Sequence, residues 1–554
     1  MIQTKFNLKT FFPENSTPRP SQLEALDKID NIWSNGKKYV IACMPTGIGK
    51  SHIGLSIANS SSEIDDDRKE QIVSYYHHKM NQNNEYYYDL DNHNKPNYGC
   101  YLLTITKSLQ DQYKDLFPEI SLFKGKNNYQ CQVDLETTAD YAPCIFSRKI
   151  KQKCFDSCIC PYYESKNKSL YSKASILNYK SFFNLRPFLR KRQIIICDEA
   201  DGIEEELVSQ FTIEINYSFL KSCGITFKKI KENDTDKAKV WLFDVYNQIL
   251  DELTKVKKKA NLLAKENGVS SLQEKQIQIM NKLSKLQSNL NTAIQYWDEC
   301  SYLIEEMKAD KIVFTPYDIR PLFKDVFGES DRVLLMSATL SNHKQFASSM
   351  GLSSDEYEYI ELDSPFNPEK SPIYCSNRYS LSYNNKNKDL ESMIDACLQI
   401  CKQHKEHKGI IHTHTNLITQ ELYKKLKGDS RFLFKSEEIS NEMILTQHKS
   451  SDIPTVLISP SLDTGISLDG DLGRFQIIMK APYLPLSSNR IKKKLNSNPD
   501  QYSYYMLNTL VQMAGRCTRS KDDFSITYIL DGNATKAIMQ NKTLLPKHFL
   551  KRIH

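Results

Sequence analysis

The stretch KKYVIACMPTGIGKSHIGLSIA, Lys37 to Ala58, limits most narrowly what this chain can fold into. A short apolar run, Tyr39 to Cys43, reads as a buried strand, and apolar periodicity resumes from His52 as a helix. Between them, PTGIGKS keeps the second half of the phosphate-loop pattern G-x-x-x-x-G-K-[ST]. After Thr46, Gly47 and Gly49 leave backbone N–H groups free to wrap phosphate oxygens. Lys50 would reach the outer phosphates, and the Ser51 hydroxyl would ligate magnesium. Met44 stands where the pattern has its first glycine, so the strict motif fails and the strand–loop–helix context carries the reading.

Such a loop needs a carboxylate partner, and RQIIICDEADGIEEE supplies one. Ile194 to Cys197 read as a fully buried parallel strand that ends in Asp198 and Glu199. Asp198 is expected to hold magnesium, and Glu199 to orient and deprotonate the attacking water. An acidic cap on a strand is the bland alternative. It loses because both motifs end strands, where open α/β sheets bind ligands. The expected chemistry is hydrolysis of ATP with Mg²⁺.

Further strand-end segments follow in order. RPSQ, Arg19 to Gln22, precedes the loop and is expected to read the adenine edge. YLLTITKSLQDQ and VLLMSATL read as strands of the same sheet. KGIIHTHTN, TVLISPSLDTGISLDG, RFQIIMKAPYLP and LVQMAGRCTRS read as strands and switches of a second. Gly465 and Gln512 in these segments join the expected nucleotide contacts. Arg516 and Arg519, three apart, are expected on one helical face, where both guanidiniums reach the γ-phosphate. This set resembles superfamily 2 helicases, in which two RecA-like domains clamp ATP between them. DEAD at Asp198 to Asp201 suggests a DEAD-box RNA helicase, but TITKSLQDQ and QMAGRCTR do not match that group's flanking motifs.

At 554 residues the chain needs more than one core. No apolar run is long enough to span a membrane, and MIQTKFNLKTFF lacks the core of a signal peptide. A cytoplasmic, nucleoid or nuclear protein follows, not a secreted one, in a reducing compartment where disulfides are not expected. The net charge of +7 is compatible with nucleic acid without demanding it. Tyr75 to Gly99 is polar and aperiodic, a long surface insertion.

Five of the 14 cysteines lie between Cys131 and Cys160. Cys154, Cys158 and Cys160 form C-x3-C-x-C, which is no zinc knuckle. Spacing alone leaves an iron–sulfur cluster, a zinc site and plain buried thiols open. FKGKNNYQC, then a cysteine-rich loop ending CPYYE, then ASILNYKSFF, resembles the XPD/DinG family of iron–sulfur superfamily 2 DNA helicases. MPTGIGKS, DEAD, SATL, DSPF and QMAGRCTR fit the same family in order, from Arg19 to about Asp531.

The resemblance implies a [4Fe–4S] cluster on Cys131, Cys144, Cys154 and Cys160, with Cys158 in place of Cys144 as the alternative set. It implies an α/β fold of two RecA-like parallel-sheet motor domains, with an iron–sulfur subdomain and a helical Arch domain inserted in the first. The expected first motor domain comprises residues 1–120, 171–204 and 316–345. The iron–sulfur subdomain takes 121–170, the Arch 205–315 and the second motor domain 346–554. Apolar residues from Ile279 to Trp297 recur at helical spacing, and Lys239 to Glu266 reads as the antiparallel partner helix.

The activity implied is ATP-dependent unwinding of duplexes or forks by 5′–3′ translocation on single-stranded DNA. A remodeller of protein–DNA or R-loop structures, or a fork-binding factor with a weakened motor, is the other class. Implied partners are single-stranded and forked DNA and RNA–DNA hybrids, engaged by a monomer and without a membrane. Thr464 and Ser467 depart from the family's motif V, which puts motor coupling in doubt. A fused exonuclease domain ahead of Arg19, and its nuclease activity, are not expected.

Overall fold

The computed structural model describes residues 7–70, 97–145, 148–157, 159–185, 187–230, 234–267, 274–340, 342–381, 386–435, 439, 441–460, 468, 470–518 and 523–554. The polar insertion from Tyr75 up to residue 96, Cys158, Gly465 with its motif V neighbours, and Arg519 lie outside the described residues.

Two parallel sheets organise the chain. The first has seven strands: β1 (Tyr39–Cys43), β2 (Cys100–Thr104), β3 (Ser121–Phe123), β4 (Ala174–Asn178), β5 (Ile194–Asp198), β9 (Arg332–Ser337) and β10 (Tyr357–Glu361). Their order is β10-β1-β9-β5-β2-β4-β3, parallel throughout. The central strands are buried along their whole length, as continuous apolar runs require when helices cover both faces. β10 lies past residue 345, so the first sheet takes in more of the chain than the expected boundary allowed.

The second sheet has six strands, β11 (Ile373–Tyr379), β12 (Gly409–His412), β13 (Phe432–Phe434), β14 (Val456–Ser459), β15 (Phe475–Ile478) and β16 (Ile526–Asp531). They run parallel in the order β11-β16-β15-β12-β14-β13. The fold is α/β with two RecA-like parallel sheets, as the strand-end segments predict.

Helices Thr235–Asn267 and Glu274–Tyr296 form a hairpin. Leu242, Val245, Ile249, Met280, Leu283 and Leu290 pack into the largest apolar cluster. The hairpin does not stand alone. At its base lies an antiparallel sheet of β6 (Ile213–Asn216), β7 (Leu303–Met307) and β8 (Lys311–Thr315). The expectation of a purely helical insertion misses it, because four- and five-residue strands such as IEIN carry too little alternation to stand out.

A composite site at the carboxyl ends of the first sheet

β1, β9 and β5 are neighbours, with Cys43 level with Ser337 and Asp198 level with Met336. The phosphate loop, the acidic pair and the SATL turn therefore emerge side by side. Gly47 and Gly49 adopt left-handed φ of 84° and 87°, which residues with a Cβ rarely hold. A Cβ on Gly47 would overlap the Phe366 ring of the DSPF segment, and one on Gly49 would meet Gln22. Met44 has no such constraint. Its N–H bonds the Ser337 carbonyl at 2.8 Å, and its side chain lies in the core, so the missing first glycine costs the loop nothing.

Lys50 opens the helix Lys50–Asn59, with Ser51 next. Lys50 Nζ lies 3.5 Å from Glu199 Oε1, and Ser337 Oγ donates to Glu199 Oε2 at 3.2 Å. Glu199 has a φ of 51°, an uncommon backbone for a side chain of this kind and one found at functional turns. Asp198 is buried. It accepts the Tyr113 hydroxyl at 2.9 Å and the Glu199 N–H at 3.0 Å. Burial raises its carboxyl to about 6, with Lys50 opposing and Glu199 reinforcing the rise.

Tyr113, unremarked in the sequence, also hydrogen-bonds Ser51, and so ties the two residues expected at magnesium to each other. Arg19 donates to the Gly47 carbonyl at 2.6 Å and Gln22 to the Gly49 carbonyl at 3.3 Å. Both brace the loop, whatever they do toward an adenine. Thr46 lies within the loop between them.

The second sheet reaches the same place. Gln512, on helix Pro499–Ala514, donates to Asp201, three residues after Asp198. That helix stops at Ala514 with Gly515 as its C-cap, so Arg516 stands in the following turn. Arg516 is therefore not carried on a helix as expected, and Arg519 lies outside the described residues. Glycine ends helices readily, and the buried Cys517 then anchors the turn. Arg516 lies near the end of β12, where burial and then its charge push His412 down to about 3.

His548 is a second residue that sequence reasoning missed. It lies on the short helix Lys547–Leu550, and burial, Arg552 and Lys50 push its imidazole down to about 3.

The cysteine segment is arranged differently. Cys131 and Cys154 are buried, Cys144 and Cys160 half-buried, and Cys160 caps helix Pro161–Tyr171. A short antiparallel bridge, Gln130 to Thr138, holds Cys131. Burial, then the neighbouring Cys154 and Cys160, push the Cys144 thiol up to about 11, and Cys131 adds to the rise. The four thiols thus converge. Among the described residues, however, no group of three or more His, Cys, Asp or Glu is drawn together tightly enough to hold a metal ion. Asn281 of the helical hairpin donates to the Asp140 carbonyl at 2.9 Å, so the hairpin and the cysteine segment touch.

No helix among the described residues is long and apolar enough to cross a membrane. Residues 397–550 match the helicase C-terminal domain family. An XPD helicase structure aligns at a TM-score of 0.53 and 15% identity, over 97% of this chain and 99% of that one. A structure of apo XPD aligns at 0.56 and 16%, over 94% and 97%. No curated protein sequence matches. The chain therefore carries a helicase C-terminal domain at residues 397–550 and shares the XPD fold along nearly its whole length.

Proposed function

We propose that the protein is an ATP- and Mg²⁺-dependent DNA helicase that translocates 5′–3′ on single-stranded DNA and opens duplexes or forks. The observation that carries this is the contact of Gln512 with Asp201, which sets the helix leading to Arg516 against the acidic turn that follows Asp198 and Glu199. Such a site is complete only when the two domains close.

Lys50 binds the outer phosphates, helped by the loop N–H groups of Gly47 and Gly49. Ser51 and Asp198 would hold magnesium, which would neutralise phosphate charge; their shared hydrogen bonds to Tyr113 suit them to one ion. Glu199, aimed by Lys50 and Ser337, takes the proton of the attacking water. Arg516, with Arg519, stabilises charge on the transferring phosphoryl group. Closure and reopening then ratchet the strand.

Residues 121–170 form a DNA-facing subdomain, and the hairpin within 205–315 is the lid that meets it, a reading supported by the Asn281–Asp140 contact. Cys131, Cys144, Cys154 and Cys160 have the all-thiolate chemistry of a [4Fe–4S] site and influence one another electrically. A bound cluster would staple this segment. The partners are single-stranded and forked DNA, with RNA–DNA hybrids as a further substrate, engaged by a monomer.

The test is ATPase activity with and without single-stranded DNA, alongside strand displacement from 5′- and 3′-tailed duplexes. DNA-stimulated hydrolysis with displacement from the 5′ tail is expected. Stimulated hydrolysis without displacement would replace unwinding by remodelling, and hydrolysis indifferent to DNA would sink the motor reading. Iron and sulfide analysis decides the cluster: about four of each per chain are expected, and zinc would overturn it.

A further inference from the structure

The carboxylate of Glu204 is almost fully buried, and three side chains of the second domain converge on it. Arg490 and Lys494 pair with Oε1, and the Tyr505 hydroxyl donates to Oε2. Lys494 Nζ also donates to the Tyr505 oxygen at 2.7 Å, as does Gln501 at 2.8 Å. Arg490 is held in turn by the Pro316 carbonyl at 3.2 Å and, through its own N–H, by Glu305 at 2.9 Å. Burial alone would raise the Glu204 carboxyl, but Lys494 and Arg490 hold it down to about 2.

Its place in the chain gives this cluster a mechanical meaning. Glu199 is the N-cap of the turn Ala200–Gly202, which runs straight into helix Ile203–Phe211, and Glu204 is the second residue of that helix. Asp201 and Glu204 are three apart. The helix Pro499–Ala514 grips both, through Gln512 on Asp201 and Tyr505 on Glu204. Those two grips lie seven residues apart, roughly 10 Å along one rigid helix. The same helix leads directly into Arg516.

We propose that Glu204 is a positioning residue that fixes the turn carrying Glu199 against the helix leading to Arg516, so that the water-activating carboxylate and the arginine come into register together. This rests on the ATPase reading above. A buried ion cluster is weak evidence of stability, because removing charges from water offsets their attraction, whereas it can specify one arrangement of two bodies over others. Here that arrangement holds the turn after Asp198 against the helix that leads to Arg516.

The experiment compares wild type with Glu204→Gln and Glu204→Asp, measuring ATPase kinetics with single-stranded DNA, fluorescent-nucleotide binding and amide exchange across residues 196–211. For Glu204→Gln, kcat should fall at least tenfold while KM and nucleotide affinity stay within twofold. Amide exchange in the turn should rise, and Glu204→Asp should recover part of kcat. A kcat within twofold of wild type, or nucleotide binding lost together with kcat, would overturn the assignment. If wild-type protein hydrolyses no ATP, the ATPase reading fails instead. Exchange then still decides: loosening of 196–211 in Glu204→Gln keeps Glu204 as the brace of the turn, and unchanged exchange removes it.

Discussion

The phosphate loop and the cysteine segment both carry the chemistry expected of a motor, yet folding treats them in opposite ways. The loop is shaped by its own protein neighbours: left-handed glycines under Phe366 and Gln22, carbonyls held by Arg19, a carboxylate pair tied to Lys50, Ser337 and Tyr113. The cysteine segment has short helices, one small bridge and thiols that, among the described residues, draw near without closing a metal site. A site built for a ligand that comes and goes is formed in advance. If the cysteines hold the proposed cluster, the last contraction of their segment is left to that group.

The sharpest way to break this contrast is Lys50→Ala. Hydrolysis should fall about 10²–10³-fold with no change in melting temperature, checked by phosphate release and thermal denaturation. A drop in melting temperature would mean the loop is not independently shaped.

Cys154→Ser should do the reverse. Bound iron and visible absorbance are lost and amide exchange rises across 121–170, while exchange in Tyr39–Cys43 stays as in wild type. Equal exchange in 121–170 before and after iron removal would erase the difference between the regions.

Met44→Gly restores the full loop pattern and should nevertheless destabilise the protein by about 2–5 kcal/mol, because a buried side chain is deleted. Chemical denaturation measures it, and a stabilised variant would show that the loop wanted its glycine.

Acid gives the smallest effect. The Glu204 carboxyl is held at about 2, below its ordinary value of 4.5. Its contribution is fully present above pH 4.5 and is lost as pH falls through that window toward 2. Wild type should therefore lose stability from pH 4.5 downward more steeply than Glu204→Gln.

The legible parts of the molecule share one property: their signal is local. The IIICD and VLLMS runs announce buried strands because every residue is apolar, and the Ile279–Trp297 stripe announces a helix by its spacing. Lys50, Ser51, Asp198 and Glu199 could be named because strand-end chemistry follows from adjacent residues. Tyr113 reads as an ordinary core aromatic until folding brings it 2.9 Å from Asp198. Nothing about Glu204, in an acidic run of three, separates it from its exposed neighbour Glu205. Arg516 was expected on a helix because helical spacing was carried past Gly515, which ends it.

By itself, then, the sequence determined the two α/β halves, the phosphate loop with its acidic partner, and the gathering of cysteines, since strand and helix periods and loop chemistry act over a few residues. Tertiary structure alone decided which buried groups meet: Tyr113 with Asp198, Gln512 with Asp201, and Lys494 with Glu204 across 290 positions of chain. The first depends on how a helix packs on its own sheet, the other two on how the two sheets dock. Docking is set by the fit of surfaces whose residues lie far apart in the chain, and no local pattern records it.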